Sequence, residues 1–520
     1  MRESAFSFSF HQFFRKVGAN WDIIIVEEAD MYHLSDIKKF LRCDRLYYYS
    51  KGEENAFRPF LRSDENIIDL LKEYFGIEDC FLGIRNDEND RFFSSRDQYE
   101  WFIRPRFVDG YLRLNIPLMH KGPEGFDLYF LYYGTQIREL DTISLRAANK
   151  VLERLNVPVD AIYLIYFNEN YTFHEKLDVR QLFCVTDTFR NRKIMSIVEE
   201  GDFDYDSLIR RMEKTDPEQE KPAKTRYCRQ NGICEYYDRC FPEEEKTASD
   251  SILTLVSSQY KKQMYNDGMK LLKDADPERI EGNPIQYAQI MASRNGGTFL
   301  DVNALSKWLE KLDERPISFI DFEWDRYLVP AFENMRPMDP LCFEFALYYI
   351  DEEGHMEHRT FVATGDCRRD FIEALLMYLP SSGPILAYNA YGAECLRLKE
   401  LGETFPEYRE RLDALIGRFV DLAVPFIEGL VYDVGMEGNF TLKKLVDICS
   451  EYSYADLDIY DGMEAVYNWR DIGKNNGADE QKILNDLKEY CSLDAYGLFL
   501  VYRWLVKLMI ESNKQKEEDL

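Results

Sequence analysis

An apolar segment of the chain carries two carboxyl groups that a buried strand does not easily hold. Residues 316–325 read PISFIDFEWD, so Asp321 and Glu323 are separated by one residue. Successive strand side chains point to opposite faces, and both acids therefore share one face while Phe322 lies on the other. Neighbouring carboxylates in a low dielectric repel each other unless a cation lies between them. Two interpretations stay open: a divalent metal site, or a strand that ends at the surface with Asp325 as a further solvated charge.

The length and charge of the chain limit the classes of protein it can be. At 520 residues it is too long for a single hydrophobic core, and two or three domains are expected. Hydrophobic residues make up 45% of the sequence, which is typical of folded proteins. A formal charge of -29 argues against a protein that coats nucleic acid nonspecifically. It still allows an enzyme that binds nucleic acid in a groove, because metal ions neutralise an acidic centre locally.

No segment of the sequence suggests export or membrane insertion. No uninterrupted apolar stretch approaches the roughly 20 residues that a membrane helix needs. The first residues, MRESAFSFSFHQFFRKVGANWD, lack both a continuous apolar core and a small-residue cleavage site. We therefore expect a cytoplasmic protein with no membrane contact, whose eleven cysteines are free thiols or metal ligands rather than disulfides.

Strand-like and helical patterns divide the chain into four regions. Residues 1–30 read as an irregular leader, and residues 31–248 begin with a helical pattern in which Ser35 is a plausible cap. Residues 100–186 then read as strands around one helix, with residues 143–156 as that helix and residues 160–168 as a further strand. A polar stretch ending near residue 245 leads into a mainly helical connector, residues 249–314. Strands return over residues 315–520, which close with a long helix from about residue 479 to residue 511. This order of elements predicts an α/β fold.

Two later segments supply the further acids that a metal centre would need. In ILAYNAYGAECLRLKEL an apolar strand is expected to end at Asn389, which leaves Glu394 where the next helix begins. In EYCSLDAYGLF, Tyr490 and Asp494 are four residues apart and so lie on one face of the final helix. Taken singly, a helical acid usually lies on a solvated face and a tyrosine four residues earlier usually packs. Their order after the FIDFEW strand favours a shared site.

This arrangement resembles the DEDD exonucleases of the RNase H-like fold, in the variant with a catalytic tyrosine. The resemblance implies a two-metal site for phosphodiester hydrolysis, with Mg²⁺ or Mn²⁺ held by carboxylate oxygens. It also implies roles for five residues: metal ligands at Asp321, Glu323 and Asp494, an outer acid at Glu394, and a group that orients the attacking water at Tyr490.

The third acid departs from the DEDD pattern. Most DEDD enzymes have Asp where this sequence has Glu394, and the longer side chain would hold the second metal less well. Asp421, in GRFVDLAVPF, is a second candidate for this acid, and it can equally be an ordinary acid at a strand end. The choice between them stays open at this point.

A cysteine cluster lies near the end of the first α/β region. The segment CRQNGICEYYDRC places Cys228, Cys234 and Cys240 at two successive spacings with five residues between cysteines, and Cys43 is the best candidate for a fourth ligand. Four thiolates can hold an iron–sulfur cluster or Zn²⁺, and unliganded packed thiols are a third interpretation. One early and three late cysteines resemble the staple of RecB-like (PD-(D/E)XK) nucleases, in which a 4Fe–4S cluster ties the two ends of the domain together.

The resemblance to RecB-like nucleases also predicts that the first module is inactive. These nucleases hold one metal with an Asp on one strand, Glu-x-Lys on the next and often a Gln on the following helix. Aligned by strand–helix–strand order, this sequence carries at those positions Asn115, Phe130, Tyr132 and Ala148. Unless Asp127 or Glu124 substitutes from a shifted register, the module is expected to be catalytically dead and to bind or position substrate.

Basic and aromatic residues surround the first cysteine of this set. They are Lys38, Lys39, Arg42, Arg45 and the run Tyr47–Tyr49. Such residues can contact a phosphate backbone, and they can equally form an ordinary solvated helix face. The sequence does not separate these two interpretations.

Nearly everything after residue 31 resembles a bacterial family catalogued as a domain of unknown function, most specifically at FIDFEW, YNAYGAE, YCSLDA and the cysteines. The main hypothesis is a metal-dependent 3′-to-5′ exonuclease acting on single-stranded or frayed DNA or RNA, with the inactive RecB-like module as substrate guide. The competing hypothesis is a non-catalytic nucleic-acid-binding or scaffold protein with two decayed nuclease folds. The charge of -29 and Glu394 fit this second hypothesis.

Overall fold

The chain folds into two compact units in a computed structural model. Unit 1 comprises Met1–Arg58, Ser63–Pro242 and Leu328–Pro337, and unit 2 comprises Pro59–Arg62, Glu243–Tyr327 and Met338–Leu520. Both units contain helices and sheets, so the predicted mixture of α and β elements is confirmed. The structure describes residues 11–17, 20–26, 31–51, 60–201, 203–217, 219, 222, 225–229, 234–241, 248–452, 459, 461–472 and 477–518.

Unit 1 contains the first strands and helices of the chain. Its strands are β1 (His11–Val17), β2 (Asn20–Val26), β3 (Tyr32–His33), β4 (Phe81–Leu82), β5 (Trp101–Ile103), β6 (Arg106–Asp109), β7 (Leu112–Asn115), β8 (Leu118–Lys121), β9 (Phe126–Leu131), β10 (Val159–Phe167) and β11 (Phe183–Val185). Its helices are α1 (Leu34–Arg42), α2 (Asp44–Tyr49), α3 (Ile67–Phe75), α4 (Asn89–Ser95), α5 (Thr142–Arg154), α6 (Val179–Leu182), α7 (Thr188–Glu199), α8 (Tyr205–Lys214) and α9 (Tyr237–Cys240).

Two sheets organise the core of unit 1. One has the strand order β11-β10-β9-β8-β5-β4, and the other has the order β3-β7-β6. In the first sheet β9 is parallel to β10 and β4 is parallel to β5, whereas the remaining pairs are antiparallel. Helix α5 buries Leu145, Ala148 and Leu152, which share one helical face, in the core that these strands line.

The leader predicted for residues 1–30 is not irregular throughout. β1 pairs antiparallel with β2, with His11 opposite Val26 and Val17 opposite Asn20. The apolar run that ends β2 is β-branched, which favours extended structure, and the prediction overlooked it.

Unit 2 contains the later elements, including those of the predicted connector. Its strands are β12 (Thr298–Leu300), β13 (Ile317–Arg326), β14 (Pro340–Ile350), β15 (Met356–Val362), β16 (Ile385–Ala387), β17 (Phe419–Asp421) and β18 (Val431–Asp433). Its helices are α10 (Lys261–Asn266), α11 (Pro284–Arg294), α12 (Val302–Leu309), α13 (Arg368–Tyr378), α14 (Glu394–Thr404), α15 (Arg409–Ile416), α16 (Val424–Ile427), α17 (Leu442–Cys449), α18 (Gly462–Asp471) and α19 (Gly477–Glu518). Residues 248–314 are mainly short helices and turns, and β12 pairs with β18.

A five-stranded sheet with the order β15-β14-β13-β16-β17 forms the centre of unit 2. β14 is antiparallel to both β13 and β15, whereas β16 is parallel to β13 and to β17. Central strand β13 is covered on both faces. On one face Ile320 and Phe322 pack in the core that contains Phe371 of α13, and on the other face Phe319 contacts Phe499 of α19. The alternation of strand side chains therefore turns residues 321 and 323 towards the α19 face.

The last helix, α19, is 42 residues long and includes the segment predicted as a long terminal helix. Its residues Cys491 and Ala495 are buried against Ala346 of β14. Within the described ranges no helix, including this one, combines the length and apolar character needed to cross a membrane.

Candidate metal centre

Three carboxyl groups meet where β13 lies against α19. Asp321 and Glu323 come from the strand, and Asp494 comes from the helix. One oxygen atom of each lies within 4.8 Å of the others, with Glu323 and Asp494 buried and Asp321 partly exposed. These are the three residues that the sequence analysis named as metal ligands.

The electrostatics of this group reflect burial and mutual repulsion. Burial is the largest cause that raises the pKa of Asp321 well above its ordinary value, followed by Asp494 and Glu323. The pKa of Glu323 is likewise raised well above its ordinary value, by burial and then by Asp494 and Glu344. Without a cation, these groups therefore favour the protonated state, and a bound cation would favour their ionised form.

Tyr490 lies one helical turn before Asp494 and is 3% exposed. Its side chain hydrogen-bonds with Asp494, and its pKa is raised by burial and then by the neighbouring Asp494 and Glu323. The hydroxyl therefore stays protonated and can donate a hydrogen bond. The ammonium group of Lys443 lies 4.9 Å from the Tyr490 ring centroid.

Glu394 lies at the start of α14 and faces the same cleft, but it is outside the group within 4.8 Å. It is 2% exposed, and its Oε2 atom has no hydrogen-bond partner in the described part of the chain. Burial raises the pKa of Glu394 to about 8, and Asp421 adds to this rise. The structure thus places the third predicted acid in the same cleft as the three close carboxyl groups, with one oxygen uncommitted.

Asp421, the alternative for this acid, has a structural role in the backbone. Its Oδ1 accepts hydrogen bonds from the backbone N–H groups of Asn389 and Ala423, each at 2.9 Å. Asn389 has a φ of 56°, in the left-handed region, within the turn that connects β16 to α14. Asp421 therefore helps to hold the turn that precedes Glu394, and it does not line the cleft.

The cleft has a volume of about 580 Å³ and is formed by residues of unit 2. It is lined by all five residues predicted as catalytic. The further lining residues are Phe60, Phe322, Trp324, Asp325, Arg326, Tyr388, Ala393, Thr441, Leu442, Lys443, Asp461, Gly462, Met463 and Val466.

Asp325 is not the solvated strand-end charge that one sequence interpretation assumed. It is 1% exposed, and Arg470 of α18 donates from Nε to its Oδ2 at 2.9 Å. The β13 strand is therefore still buried where it passes the acids, which removes the main support for a surface strand end.

Glu344 of β14 is a buried acid that the sequence analysis did not single out. It lies directly opposite Glu323 in the β13–β14 register and is 0% exposed. Neither of its carboxyl oxygens has a hydrogen-bond partner among the described residues, and burial raises its pKa to about 8. The signal was available, because an acid within LCFEFALYYI interrupts an apolar run as Asp321 does.

Cys491 is a second residue that the sequence did not reveal. Its thiol lies 3.5 Å from the backbone oxygen of Asp321 and 3.6 Å from its Oδ2, and it donates to both. This contact links α19 to β13 beside the acids. Only the packing of the helix on the strand could identify it, because the sequence shows a single cysteine without a metal-ligand spacing.

The four cysteines predicted to form a cluster are close enough to affect one another in unit 1. Burial raises the pKa of Cys240, and Cys43, Cys234 and Cys228 add to the rise. The Cys234 N–H donates to the Cys228 carbonyl at 3.0 Å. Nevertheless, among the described residues no three of these sulfur atoms lie within 4.8 Å of one another.

The positions expected to hold metal in a RecB-like nuclease carry no acidic group in unit 1. Asn115, Phe130 and Tyr132 line one cavity of about 660 Å³, whereas Ala148 is buried in the core. Neither Asp127 nor Glu124 lines this cavity. Across the described ranges, the groups of side chains close enough to hold a metal ion are the one above and that of Asp351, Glu353 and His355 in unit 2.

Several of the basic residues around Cys43 already have partners within unit 1. Lys38 forms an ion pair with Asp141 at 2.5 Å, and Lys39 donates to Ser50 at 3.0 Å. Arg42 stacks over Tyr227, and Arg45 donates to the Tyr49 hydroxyl at 3.0 Å. These contacts are intramolecular, and phosphate binding by this helix face stays a prediction.

Comparisons with known proteins identify one matching segment. A family model described as a domain of unknown function (DUF2779) matches residues 318–441, which include Asp321, Glu323 and Glu394 but end before Tyr490 and Asp494. No curated protein matches the chain. The family B DNA polymerase from the hyperthermophilic archaeon Pyrobaculum calidifontis is similar with a TM-score of 0.25 and 17% identity, over 37% of this chain and 24% of the polymerase chain. This chain thus spans about a quarter of the polymerase's length, and so low a TM-score does not assign a fold.

Proposed function

We propose that this protein is a metal-dependent exonuclease that removes nucleotides from the 3′ end of a DNA or RNA strand. One observation carries the proposal: Asp321, Glu323 and Asp494 gather their oxygens within 4.8 Å in a cleft of unit 2. The pKa values of Asp321 and Glu323 are raised, and three carboxyl groups in one place are costly unless they bind a cation.

The strand order of the central sheet in unit 2 supports an RNase H-like fold. Numbered along the chain within this sheet, the strands run 3-2-1-4-5, and the second strand is antiparallel to its neighbours. This is the order of the RNase H-like fold, in which DEDD exonucleases carry their first two acids on the first strand. Asp321 and Glu323 lie on that strand, and the last helix supplies Tyr490 and Asp494.

The residues present fit a site for Mg²⁺ or Mn²⁺. All three close donors are carboxylate oxygens, which these ions prefer, and Glu394 adds an uncommitted buried oxygen in the same cleft. Asp321, Glu323 and Asp494 would hold the ions, with Glu394 as the outer acid. When bound, two such ions supply an activated water and charge stabilisation for phosphodiester hydrolysis.

Tyr490, Lys443 and the cleft itself have separate roles in binding the substrate. Tyr490 keeps its proton and donates a hydrogen bond, which suits it to orient a water or a phosphate oxygen. Lys443, whose ammonium group lies over the Tyr490 ring, supplies a positive charge near the phosphate. A cleft of about 580 Å³ is of the size that accepts a terminal nucleotide, which favours a single-stranded or frayed end.

We also propose that unit 1 is an inactive RecB-like module that guides the substrate and holds a 4Fe–4S cluster through Cys43, Cys228, Cys234 and Cys240. Inactivity is supported by Asn115, Phe130 and Tyr132, which line the cavity at the ligand positions and carry no carboxyl group. For the cysteines, the support is that Cys43, Cys234 and Cys228 all raise the pKa of Cys240, so the four thiols belong to one region of unit 1. Zn²⁺, which draws thiolates closer at bond lengths near about 2.3 Å, is the alternative.

The decisive experiment compares the wild type with Asp321→Asn. We expect Mn²⁺-dependent shortening of a 5′-labelled single strand by the wild type and none by the variant, because a charged ligand is lost. Glu410→Gln removes one exposed negative charge elsewhere in unit 2, outside the cleft and outside both groups of close acids, and should retain activity. Thermal melting should show stabilisation by Mn²⁺ in the wild type and in Glu410→Gln, and little in Asp321→Asn.

A non-catalytic nucleic-acid-binding or scaffold protein remains the second candidate, favoured by the formal charge of -29 and by Glu in place of Asp at position 394. It predicts no strand shortening by the wild type. If Mn²⁺ also leaves the wild-type melting temperature unchanged, the metal centre itself is refuted and this second function stands.

A further inference from the structure

The cavity that replaces a nuclease site in unit 1 is lined by two arginines. Arg104 follows β5 and Arg106 begins β6, and both face the same volume of about 660 Å³. Arg106 lies opposite Asn115 in the β6–β7 register. The cavity wall therefore carries guanidinium groups close to Asn115, the position where RecB-like nucleases have an aspartate. At this position a positive charge lies where those nucleases have a negative one.

These guanidinium groups are not neutralised by the surrounding protein. In the described part of the chain neither Arg104 nor Arg106 forms an ion pair, and the Nε atom of Arg106 is buried without a hydrogen-bond partner. Nearby acids are committed to other cations: Asp87 pairs with Arg91, and Asp141 pairs with Lys38. Glu139 and Asp141 both line the cavity: Asp141 is the partner of Lys38, and the Glu139 side chain is exposed to solvent.

Further arginines add to the positive potential. The pKa of Arg106 is lowered by burial and then by Arg104, whereas Asp87 opposes the effect and Arg113 and Arg85 reinforce it. A desolvated guanidinium beside other cations is unfavourable in a free site. In a chain with a formal charge of -29, this concentration of positive charge points to an anionic ligand.

The backbone holds Arg104 in an unusual conformation. Its φ of 49° lies in the left-handed region, which is uncommon for a residue other than glycine. Its N–H donates to the Pro117 carbonyl at 3.0 Å, and a Cβ on Gly83 would lie 1.9 Å from the Arg104 oxygen, so only glycine fits there. Such conformations cluster at ligand sites.

Aromatic rings complete the cavity. Tyr133 is 63% exposed, and Tyr132 is partly exposed beside it. Exposed tyrosines next to paired arginines combine a stacking surface for a planar base with donors for phosphate oxygens.

We propose that this cavity binds a terminal phosphate carried by a nucleoside, with Arg104 and Arg106 contacting the phosphate and Tyr133 stacking on the base. A terminal phosphate carries close to two negative charges, which match two guanidinium groups better than a single-charged phosphodiester does. The ligand can be the phosphorylated end of a strand or a free nucleoside monophosphate, since both present the same chemistry. The site lies in unit 1, needs no metal, and does not rest on the proposed nuclease activity.

The test is equilibrium binding to the full chain without added divalent ions. The probes are a short single strand with a 5′-phosphate, the same strand with a 5′-hydroxyl, adenosine 5′-monophosphate and adenosine. We expect the phosphate to tighten binding of the strand or of the nucleoside by about tenfold or more, as charge-assisted hydrogen bonds do. An advantage for the strand alone identifies a strand end as the ligand, and an equal advantage for the mononucleotide identifies the free nucleotide.

Three variants separate the site from general charge effects. Arg104→Ala changes an exposed side chain and should abolish most of the phosphate advantage, and Arg106→Lys keeps the charge but removes the planar fork and should reduce it. Arg192→Ala, an exposed arginine of α7 outside the cavity, should bind as the wild type does. Equal affinity for phosphorylated and unphosphorylated probes overturns the proposal, and so does an advantage that survives both cavity substitutions. Neither result alters the expectation for Mn²⁺-dependent strand shortening.

Discussion

Glu344 titrates in a range that ordinary glutamates do not reach. Its pKa rises from 4.5 to about 8 because the carboxyl is buried, although Lys488 partly opposes the rise. Between these two values the folded protein keeps a proton that the unfolded chain has lost. The free energy of unfolding should therefore fall as pH rises through this window, since the folded state binds more protons.

Glu344→Gln should flatten this pH dependence in metal-free protein. The wild type is expected to lose up to a few kcal/mol of stability between pH 5 and pH 9, and the variant is expected to lose less, because the amide does not ionise. Some dependence should persist, since the pKa of Glu394 is also raised to about 8. Urea unfolding at several pH values measures the effect. Glu353→Gln is the matched control, and identical slopes for wild type and Glu344→Gln would contradict the expectation.

Tyr490→Phe separates orientation of the substrate from metal binding. The hydroxyl hydrogen-bonds Asp494 but is not among the three close oxygen ligands. We expect stabilisation by Mn²⁺ to persist while turnover slows roughly 10- to 1000-fold, as expected when a positioned polar group is lost. Single-turnover strand shortening and melts with Mn²⁺ provide the two readings. An unchanged rate would remove Tyr490 from the proposed machinery.

At the scale of residues, the sequence located the acids of the cleft but not their full surroundings. Asp321 and Glu323 stood out because an apolar strand rarely carries paired acids, and Tyr490 and Asp494 followed from helical spacing. Glu344 was missed because its importance depends on β14 pairing in the register that places it opposite Glu323. Pairing register between distant strands is a tertiary property that no local pattern encodes.

The contact between β13 and α18 depends on a buried ion pair. Asp325 is 1% exposed and Arg470 donates to it at 2.9 Å, with a second hydrogen bond from Arg470 to the Phe60 carbonyl at 2.8 Å. Removing Arg470 leaves the buried Asp325 charge with Arg62, 3.9 Å away, as its remaining ion-pair partner among the described residues.

Arg470→Ala should therefore destabilise unit 2 by up to about 3–5 kcal/mol, the loss expected for a buried charge without a partner, and by less to the extent that Arg62 compensates Asp325. The double substitution Asp325→Asn with Arg470→Ala should recover part of this loss, because the buried charge is gone. The control is Arg359→Ala, which breaks the exposed pair with Glu357 and should cost at most about 1 kcal/mol. Denaturant unfolding monitored by circular dichroism measures all three. A loss for Arg470→Ala no larger than the control's would contradict burial of the pair.

At the scale of elements, segments with a strongly periodic pattern of apolar residues were predicted correctly, whereas the start of the first helix was not. The patterns over residues 143–156 and 160–168 correspond to α5 and β10. The sequence favours Ser35 as the cap of the first helix, whereas α1 begins at Leu34 and its cap residue is His33, whose N–H donates to Asp36. Ser, Thr, Asp and Asn dominate caps, so a histidine in this position gives no sequence signal.

The proposed 4Fe–4S cluster would join Cys43 to Cys228, Cys234 and Cys240, which are far away in sequence. Protein purified anaerobically should be brown, with broad absorbance around about 400 nm from thiolate–iron charge transfer. Cys234→Ser should weaken or remove the colour, whereas Cys449→Ser, a partly buried thiol of unit 2, should retain it. Unfolding of unit 1 should also be easier in Cys234→Ser, since a cross-link between distant segments restricts the unfolded chain. A colourless protein with stoichiometric zinc would instead support the Zn²⁺ alternative.

At the scale of the molecule, the sequence indicated several folded regions, and the proposed limits at residues 248 and 314 stay predictions. The structure divides the chain differently, because Leu328–Pro337 is grouped with unit 1 and Pro59–Arg62 with unit 2. Composition and residue spacing are patterns among residues that are close in sequence. They therefore do not detect a short segment that packs with residues far away in sequence.

This interleaving decides how the protein can be dissected. The Phe173 N–H donates to the Met335 carbonyl and the Asn334 N–H donates to the Phe173 carbonyl, each at 2.9 Å, so residues 328–337 complete unit 1 from within the sequence of unit 2. A gene fragment ending at residue 242 would lack this piece, and one starting at residue 243 would carry it without its neighbours while losing residues 59–62. Expression of either half therefore requires a redesigned chain. The first half needs residues 328–337, supplied through a linker or as a separate peptide, and the second half needs residues 59–62 in the same way.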